Sequence, residues 1–230
     1  MIGRTVMAAA ALTLLFATSQ GLSRTQRVEG AEVTLLEVGD TAPDFKLFGV
    51  DHRYHSLAHY KDVKAILVVF HTNHCPVSRG NREGLVKLAE EFKDECVQII
   101  AINPNPADKV AADGFPQMIE VAKEAGYTFP YLYDETQVIA ASYGARRTDN
   151  VFVLGPADDD GQRKIKYIGP LDNAREEPRF AALALNSILR DEEIEHEEVD
   201  THFGCTIKYR TEEERKARGV ELPKRDQAEE

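Results

Sequence analysis

The chain has 230 residues, 29% of them charged, and a formal net charge of −11. An acidic chain with no basic cluster is poorly suited to nucleic acid or to an anionic membrane surface. Three cysteines are too few for a disulfide scaffold and include no CxxC pair for zinc. In an oxidising compartment an odd number leaves at least one thiol unpaired within the monomer.

Residues 1–21 have the pattern of an export signal. Arg4 supplies the positive start, Val6 to Ala17 is an apolar run too short to span a bilayer as a helix, and Ala17-Thr18-Ser19 offers small residues for cleavage. The protein is therefore expected outside the cytoplasm, in a periplasmic or extracellular space. It is held at a membrane only if this leader is uncleaved. Residues 22–35 are polar and are expected to be a loose lead-in. Residues 36–209 are long enough for one domain with a sizeable core. The charged residues 210–230 are expected to be disordered.

Within the domain, Gly39-Asp40 predicts a turn and the residues after Pro43 a short strand. Residues 50–62 predict a hairpin-like turn and a short helical turn. His52, His55 and His59 in that stretch have helical spacing suited to a metal face, but the segment is short and turn-rich, which favours scattered surface histidines. Lys64 to Phe70 is a buried strand that runs into a polar turn ending in Cys75. Pro76 then opens a helix to about Asp94, with Leu85, Leu88, Ala89 and Phe92 as its apolar stripe. Gly80 and Gly84 either permit close approach near Cys75 or loosen that end of the helix. Cys75 falls at the N-cap, where free N–H groups and the positive end of the helix dipole lower a thiol pKa and raise its reactivity.

Cys96 to Asn103 predicts a second core strand, with Cys96 as a small core residue. A helix follows over about Phe115–Ala125, then a short strand at Tyr131–Asp134 and a helix over about Thr136–Tyr143 ending at Gly144. Val151–Leu154 is a third core strand, and Lys164–Ile168 its hairpin partner across a turn at Asp158–Gly161. Phe180–Leu189 is a closing helix, and the acidic run from Asp191 to Asp200 a solvated spacer. The order is β, turn, α, β, α, β, α, β, β, α. It predicts an α/β fold of thioredoxin-like plan, a mixed central sheet flanked by helices, in a single domain.

Four motifs carry a family resemblance: VGDTAPDFKL, NHCPV at the Cys75 turn, FPYLYDETQ, and GCTIKYR near the end. Together they resemble the peroxiredoxin-like (redoxin) branch of the thioredoxin superfamily, related to alkyl hydroperoxide reductase and thiol-specific antioxidant proteins. The resemblance implies redox function, with Cys75 as a peroxidatic or exchange-type cysteine. It also implies a small peroxide or protein disulfide as substrate and an external thiol as reductant, with no cofactor. Thr72 stands three residues before Cys75, as in a peroxiredoxin TxxC arrangement. Its hydroxyl either bonds the peroxide or thiolate, or belongs to an ordinary turn threonine.

Two departures from the pattern matter. Ser78 stands where a thioredoxin has its second cysteine, so dithiol exchange within the turn is impossible. Asp149 stands where such proteins usually carry a cis-proline after a threonine. The Thr148–Asp149 bond is expected to be trans. A carboxylate facing Cys75 would raise its pKa, while Arg146 or Arg147 would lower it. With Ser78 unable to serve and Cys96 expected in the core, Cys205 is the candidate partner of Cys75. It lies beside Gly204 in a segment with apolar neighbours that gives it reason to dock. The rival readings are that Cys205 only packs, or pairs with another chain. An alternative of another class is a thioredoxin-fold binding or copper-handling protein without redox catalysis. His71, His74 and Cys75 would be its soft-metal ligands.

Overall fold

The computed structural model describes residues 24–171, 178–200 and 203–223. The expected leader lies outside them. Among the described residues no helix is long and apolar enough to cross a membrane.

The first elements are β1 (Thr25–Val28) and β2 (Ala31–Thr34), an antiparallel hairpin joined by Glu29-Gly30. This corrects the expectation of a loose lead-in. Ala31 and Val33 point into the core while Glu32 faces out, the two-residue alternation of a half-buried strand. Gly30 has φ +89°, and a β-carbon there would lie 2.2 Å from the Tyr209 carbonyl oxygen, so glycine is required at this turn.

The central sheet has seven strands. In chain order they are β3 (Leu47–Gly49), β4 (Tyr54–His55), β5 (Ala65–Phe70), β6 (Val97–Asn103), β7 (Tyr131–Tyr133), β8 (Asn150–Ala157) and β9 (Arg163–Pro170). Their spatial order is β4-β3-β7-β6-β5-β8-β9, with β5, β6 and β7 parallel and the others antiparallel to their neighbours. The helices are α1 (Pro76–Glu91), α2 (Phe115–Ala125), α3 (Val138–Ser142), α4 (Phe180–Leu189) and α5 (Glu212–Lys216). This is the single-domain thioredoxin-like plan predicted by the element order.

Strand β5 is buried on both faces, which explains its continuous apolar sequence. Ala65, Leu67 and Val69 pack with Leu85 and Leu88 of α1, Met118 of α2 and Leu185 of α4. Ile66, Val68 and Phe70 pack on the opposite side with Phe152, Ala140 of α3, Val33 of the hairpin, and Ile207 and Tyr209 near the C-terminus. Each such large side chain contributes roughly 1.5–3 kcal/mol relative to exposure. The strand thus forms a rigid stem, and its C-terminal end delivers residues 71–75 to one edge of the sheet.

Three further expectations change. Cys96 is exposed, although its carbonyl accepts the Lys64 and Ala65 N–H groups and starts the β5–β6 pairing. The acidic spacer is pinned to β9, because Ile168 N–H donates to Glu197 O and Val199 N–H to Ile168 O, and Ile194 and Val199 pack on the core. The tail is ordered through its described part. Thr211 and Glu214 form a reciprocal capping box on α5, Arg210 is buried against Asp108, and Arg215 donates to Gly30 O. Residues 224–230 lie outside the described residues.

Arg163 is 1% exposed and donates to the carbonyls of Gly155, Tyr60, Lys61 and Val63, fastening the approach to β5. Arg163→Met leaves these carbonyls without their donor, and a loss of about 2–4 kcal/mol is expected in urea unfolding. An unchanged midpoint would show that the guanidinium does not hold this corner.

Candidate active site

Strand β5 ends at Phe70, and residues 71–75 form the turn into α1. Cys75 is the N-cap of α1 with extended backbone (φ −63°, ψ 126°), and Pro76 occupies the first helical turn. The residue has no solvent-accessible surface. The Thr148 hydroxyl donates to its sulfur at 3.1 Å and the Cys205 backbone N–H at 3.3 Å. The Cys205 side chain and the Ser78 N–H also favour its thiolate. Burial alone pushes the Cys75 thiol up. The thiol, hydroxyl and amide donors together outweigh burial, so its pKa lies below the ordinary cysteine value.

Cys205 behaves oppositely. Burial, then the hydrogen bond and charge of Cys75, push its thiol up to about 11. The pair therefore divides into a group that ionises easily and a group that keeps its proton. Both are free thiols. The Cys205 segment is held over Cys75 by backbone pairing with residues 146–148. Thr148 N–H donates to Cys205 O at 2.8 Å, Ile207 N–H to Arg146 O at 3.0 Å, and Arg147 and Thr206 form an antiparallel bridge. Gly204 adopts φ +99°, and a β-carbon there would lie 2.2 Å from Thr148 O.

Thr72 makes no hydrogen bond to Cys75. Its side chain is buried and its hydroxyl has no hydrogen-bond partner among the described residues. The hydroxyl that bonds the sulfur comes from Thr148, in the segment just before β8. Asp149 is also not the carboxylate that faces Cys75. It sits at φ 60° and accepts from His71 Nδ1 at 2.8 Å, the Ser78 hydroxyl at 2.8 Å and Asn81 Nδ2 at 2.9 Å. Neither arginine reaches the thiol. Arg146 donates to Gln26 and Arg147 to Gly204 O. Gly80 has no atom within 4 Å of a β-carbon built on it, so no close approach requires it.

The soft-metal set does not assemble. His71 uses Nδ1 on Asp149 and Nε2 on the Tyr127 hydroxyl, and His74 uses Nδ1 on Asp113. Among the described residues no group of three or more histidine, cysteine or acidic side chains has the arrangement to hold a metal ion. In the upstream stretch, His55 is tied to Asp51 and Tyr60 and His59 to Ser56, so these side chains serve the local turn.

Sequence reasoning missed Asp113. Its fully buried carboxylate accepts the Asn73 and His74 N–H groups, Asn105 Nδ2 and, at 2.6 Å, His74 Nδ1. Asn105 Oδ1 in turn accepts the Lys208 N–H, so one short network joins the Cys75 turn to the Cys205 segment. The hydrogen bond to Asp113 is the main cause that raises the His74 pKa, against burial, and the Cys75 thiolate adds to it. The only readable signal for Asp113 was an acidic residue in a Pro-rich loop, which does not reveal a partner forty residues away.

The fold and this geometry define a thioredoxin-like protein with two cysteines in contact at the start of the first long helix. Comparison with known proteins narrows the class. Residues 38–166 match the AhpC/TSA family, and the chain belongs to it. It is 27% identical over 137 residues to the thiol-disulfide oxidoreductase ResA of Geobacillus thermodenitrificans, covering 60% of this chain and 71% of that one. Among solved structures it is similar to an uncharacterized conserved protein from Geobacillus kaustophilus. That match has 33% identity and a TM-score of 0.68, over 76% of this chain and 93% of the other. A hypothetical protein from Sinorhizobium meliloti gives 27% identity and a TM-score of 0.69, over 82% of this chain and 98% of that one.

His74 keeps its positive charge to higher pH than an ordinary imidazole, and loses its effect on Cys75 as pH rises through its elevated pKa. His74→Gln removes that charge, so the midpoint of Cys75 alkylation against pH is expected to rise by about 0.5–1 unit. An unchanged midpoint would leave the lowering to the hydrogen-bond donors alone.

Proposed function

We propose that this protein is an exported thiol oxidoreductase in which Cys75 is the nucleophile and Cys205 the resolving thiol. The observation that carries the proposal is the seating of Cys205 on Cys75, its backbone N–H 3.3 Å from the sulfur, and the opposite shifts of the two thiols support it. Membership of the AhpC/TSA family and the likeness to ResA proteins support a peroxide or a disulfide as the substrate. Export is supported by the basic start and apolar run of residues 1–21.

The Cys75 thiolate attacks one oxygen of a peroxide or one sulfur of a disulfide. The O–O or S–S bond breaks, and the leaving oxyanion or thiolate takes a proton. Cys75 becomes a sulfenic acid or a mixed disulfide. Cys205 then loses its proton and attacks the Cys75 sulfur. The hydroxide or second substrate thiolate departs and is protonated, and a Cys75–Cys205 disulfide remains. Two external thiol groups then reduce this disulfide, the first through a mixed disulfide that the second resolves, and leave as a disulfide while both cysteines return to thiols. Thr148 is proposed to hold the sulfur during the first step.

The bridge would close a loop between residues 130 positions apart in the chain. Chain entropy gives such a bridge roughly 5 kcal/mol of stabilisation, less any strain. Non-reducing peptide mapping after one equivalent of hydrogen peroxide or of a disulfide is expected to recover a Cys75–Cys205 peptide pair, with Cys96 free. Recovery of Cys75 as a persistent sulfenic or sulfinic acid with Cys205 still free would remove Cys205 from the mechanism.

A further inference from the structure

Ser78 and Asp149 are the two departures of this chain from the thioredoxin pattern, and the structure joins them. The Ser78 hydroxyl donates to Asp149 Oδ1 at 2.8 Å. Asp149 Oδ1 also accepts from His71 Nδ1 at 2.8 Å, and Oδ2 from Asn81 Nδ2 at 2.9 Å. His71 is fixed in turn by the Tyr127 hydroxyl, 2.9 Å from its Nε2. His71 and Ser78 have no accessible surface, and Asp149 is 3% exposed. A carboxylate so buried is stable only with its donors in place. Ser78 and Asn81 lie three residues apart, on one face of α1. The end of β5 and that face of α1 therefore dictate where the Asp149 side chain sits.

The backbone at Asp149 is left-handed, φ 60°, a conformation that a residue with a β-carbon keeps only when its surroundings impose it. Its N–H donates to Phe70 O at 2.6 Å, and its carbonyl accepts the Leu171 N–H at 2.8 Å. The adjoining Thr148 hydroxyl donates to Cys75 Sγ at 3.1 Å. The Thr148-Asp149 pair is thus tied twice to the start of α1, Thr148 to the N-cap sulfur and Asp149 to Ser78 and Asn81. We propose that Asp149 is a positioning residue: clamped by Ser78, Asn81 and His71, it holds the left-handed backbone that keeps the Thr148 hydroxyl on the Cys75 sulfur. This rests on the proposed nucleophilic role of Cys75 and extends its site to side chains that act on it through Thr148. Ser78, which cannot exchange as a thiol, serves in the clamp instead.

The clamp and a direct effect of charge have opposite signs. Without the clamp Thr148 is free to leave the sulfur, the thiolate loses a donor, and the pH midpoint of Cys75 rises. A like charge acting directly on the sulfur would do the reverse, and its removal would lower the midpoint. Thr148 separates the clamp from every other route. Once its hydroxyl is gone, the clamp has nothing left to hold on the sulfur, so the two changes are not additive. The N–H groups of residues 78 and 205 and the His74–Asp113 pair also act on the sulfur, and they are the same in every protein compared.

The test uses the full chain with Cys96→Ser and Cys205→Ser, so that only Cys75 reacts, and follows its alkylation by iodoacetamide against pH. Asp149→Ala is expected to raise the Cys75 midpoint by about 0.5–1 unit, the weight of one hydrogen bond. Ser78→Ala and Asn81→Ala each remove one donor of the clamp and are expected to raise it by a smaller amount. At a pH below the midpoint, oxidation of Cys75 by hydrogen peroxide slows about three- to tenfold in Asp149→Ala, because only the thiolate reacts. Added to Thr148→Val, the same substitutions are expected to give no further rise. A rise of the same size on both backgrounds would overturn the proposal, as would a midpoint that falls or stays in the single variants. Urea unfolding checks each fold, and where Asp149→Ala does not fold, Ser78→Ala and Asn81→Ala decide the question by the same cycle. Failure of hydrogen peroxide and of a disulfide to oxidise Cys75 in the parent protein, with the midpoint shifts present, would overturn the oxidoreductase reading and leave the positioning of Thr148 standing.

Discussion

A buried sulfur is costly to ionise unless donors meet it, and the organisation of this protein follows from how donors are brought to Cys75. The Thr148 hydroxyl, the Cys205 amide and the Cys205 thiol arrive from two separate segments. The first amides of α1 add a favourable field from below. None of these groups comes from the residues just before Cys75. The activating environment exists only once β5, the β8 approach and the C-terminal segment are packed together.

That packing explains why the fold is extended at both ends of the chain. The β1–β2 hairpin, Ile207 and Tyr209 share one apolar layer on the face of β5 opposite α1. Gly30 passes against the Tyr209 carbonyl, and Gly144 allows Ala145 to accept the Tyr209 hydroxyl. Gln137, at φ 66°, spans Pro104, Lys208 and Arg210 with its amide. The chain from Ile207 on is thus part of the core, and Cys205 lies just before it. Asp113 completes the arrangement by holding the Cys75 turn and, through Asn105, the same stretch of chain. On the other side of α1, the buried His71–Asp149–Ser78–Asn81 group fastens the helix to the start of β8. The residue that replaces the usual proline therefore locks structure and leaves the thiol to Thr148.

The parts of this arrangement visible in the sequence were local ones. A buried strand, a polar turn and a proline fixed Cys75 at a helix N-cap without any tertiary information. Helix α2 and helix α4 were bounded by their own apolar spacing. Cys205 was singled out partly by elimination, although one premise failed, since Cys96 is exposed. The hairpin was readable from alternating Val28, Ala31 and Val33 around Glu29-Gly30, but its polar composition masked the pattern. The capping box of Thr211 and Glu214 was equally present and was obscured by the charge of the tail. Thr148, Asp149 and Asp113 required the fold. Nothing local distinguishes which of Thr148 and Asp149 meets the sulfur. Thr72 illustrates the converse, a correctly spaced hydroxyl that makes no hydrogen bond to Cys75.

The central claim is that converging donors make the buried Cys75 thiol more acidic than an ordinary cysteine. It is tested most directly by the pH dependence of thiolate absorbance in the Cys96→Ser, Cys205→Ser protein, in which the serine hydroxyl keeps a donor at position 205, compared with the same protein carrying Thr148→Val. The account predicts a Cys75 midpoint below the ordinary value of about 8.5, and a higher midpoint once the Thr148 hydroxyl is removed. A midpoint at or above that value, unmoved by Thr148→Val, would show that burial prevails over the donors and would contradict the account.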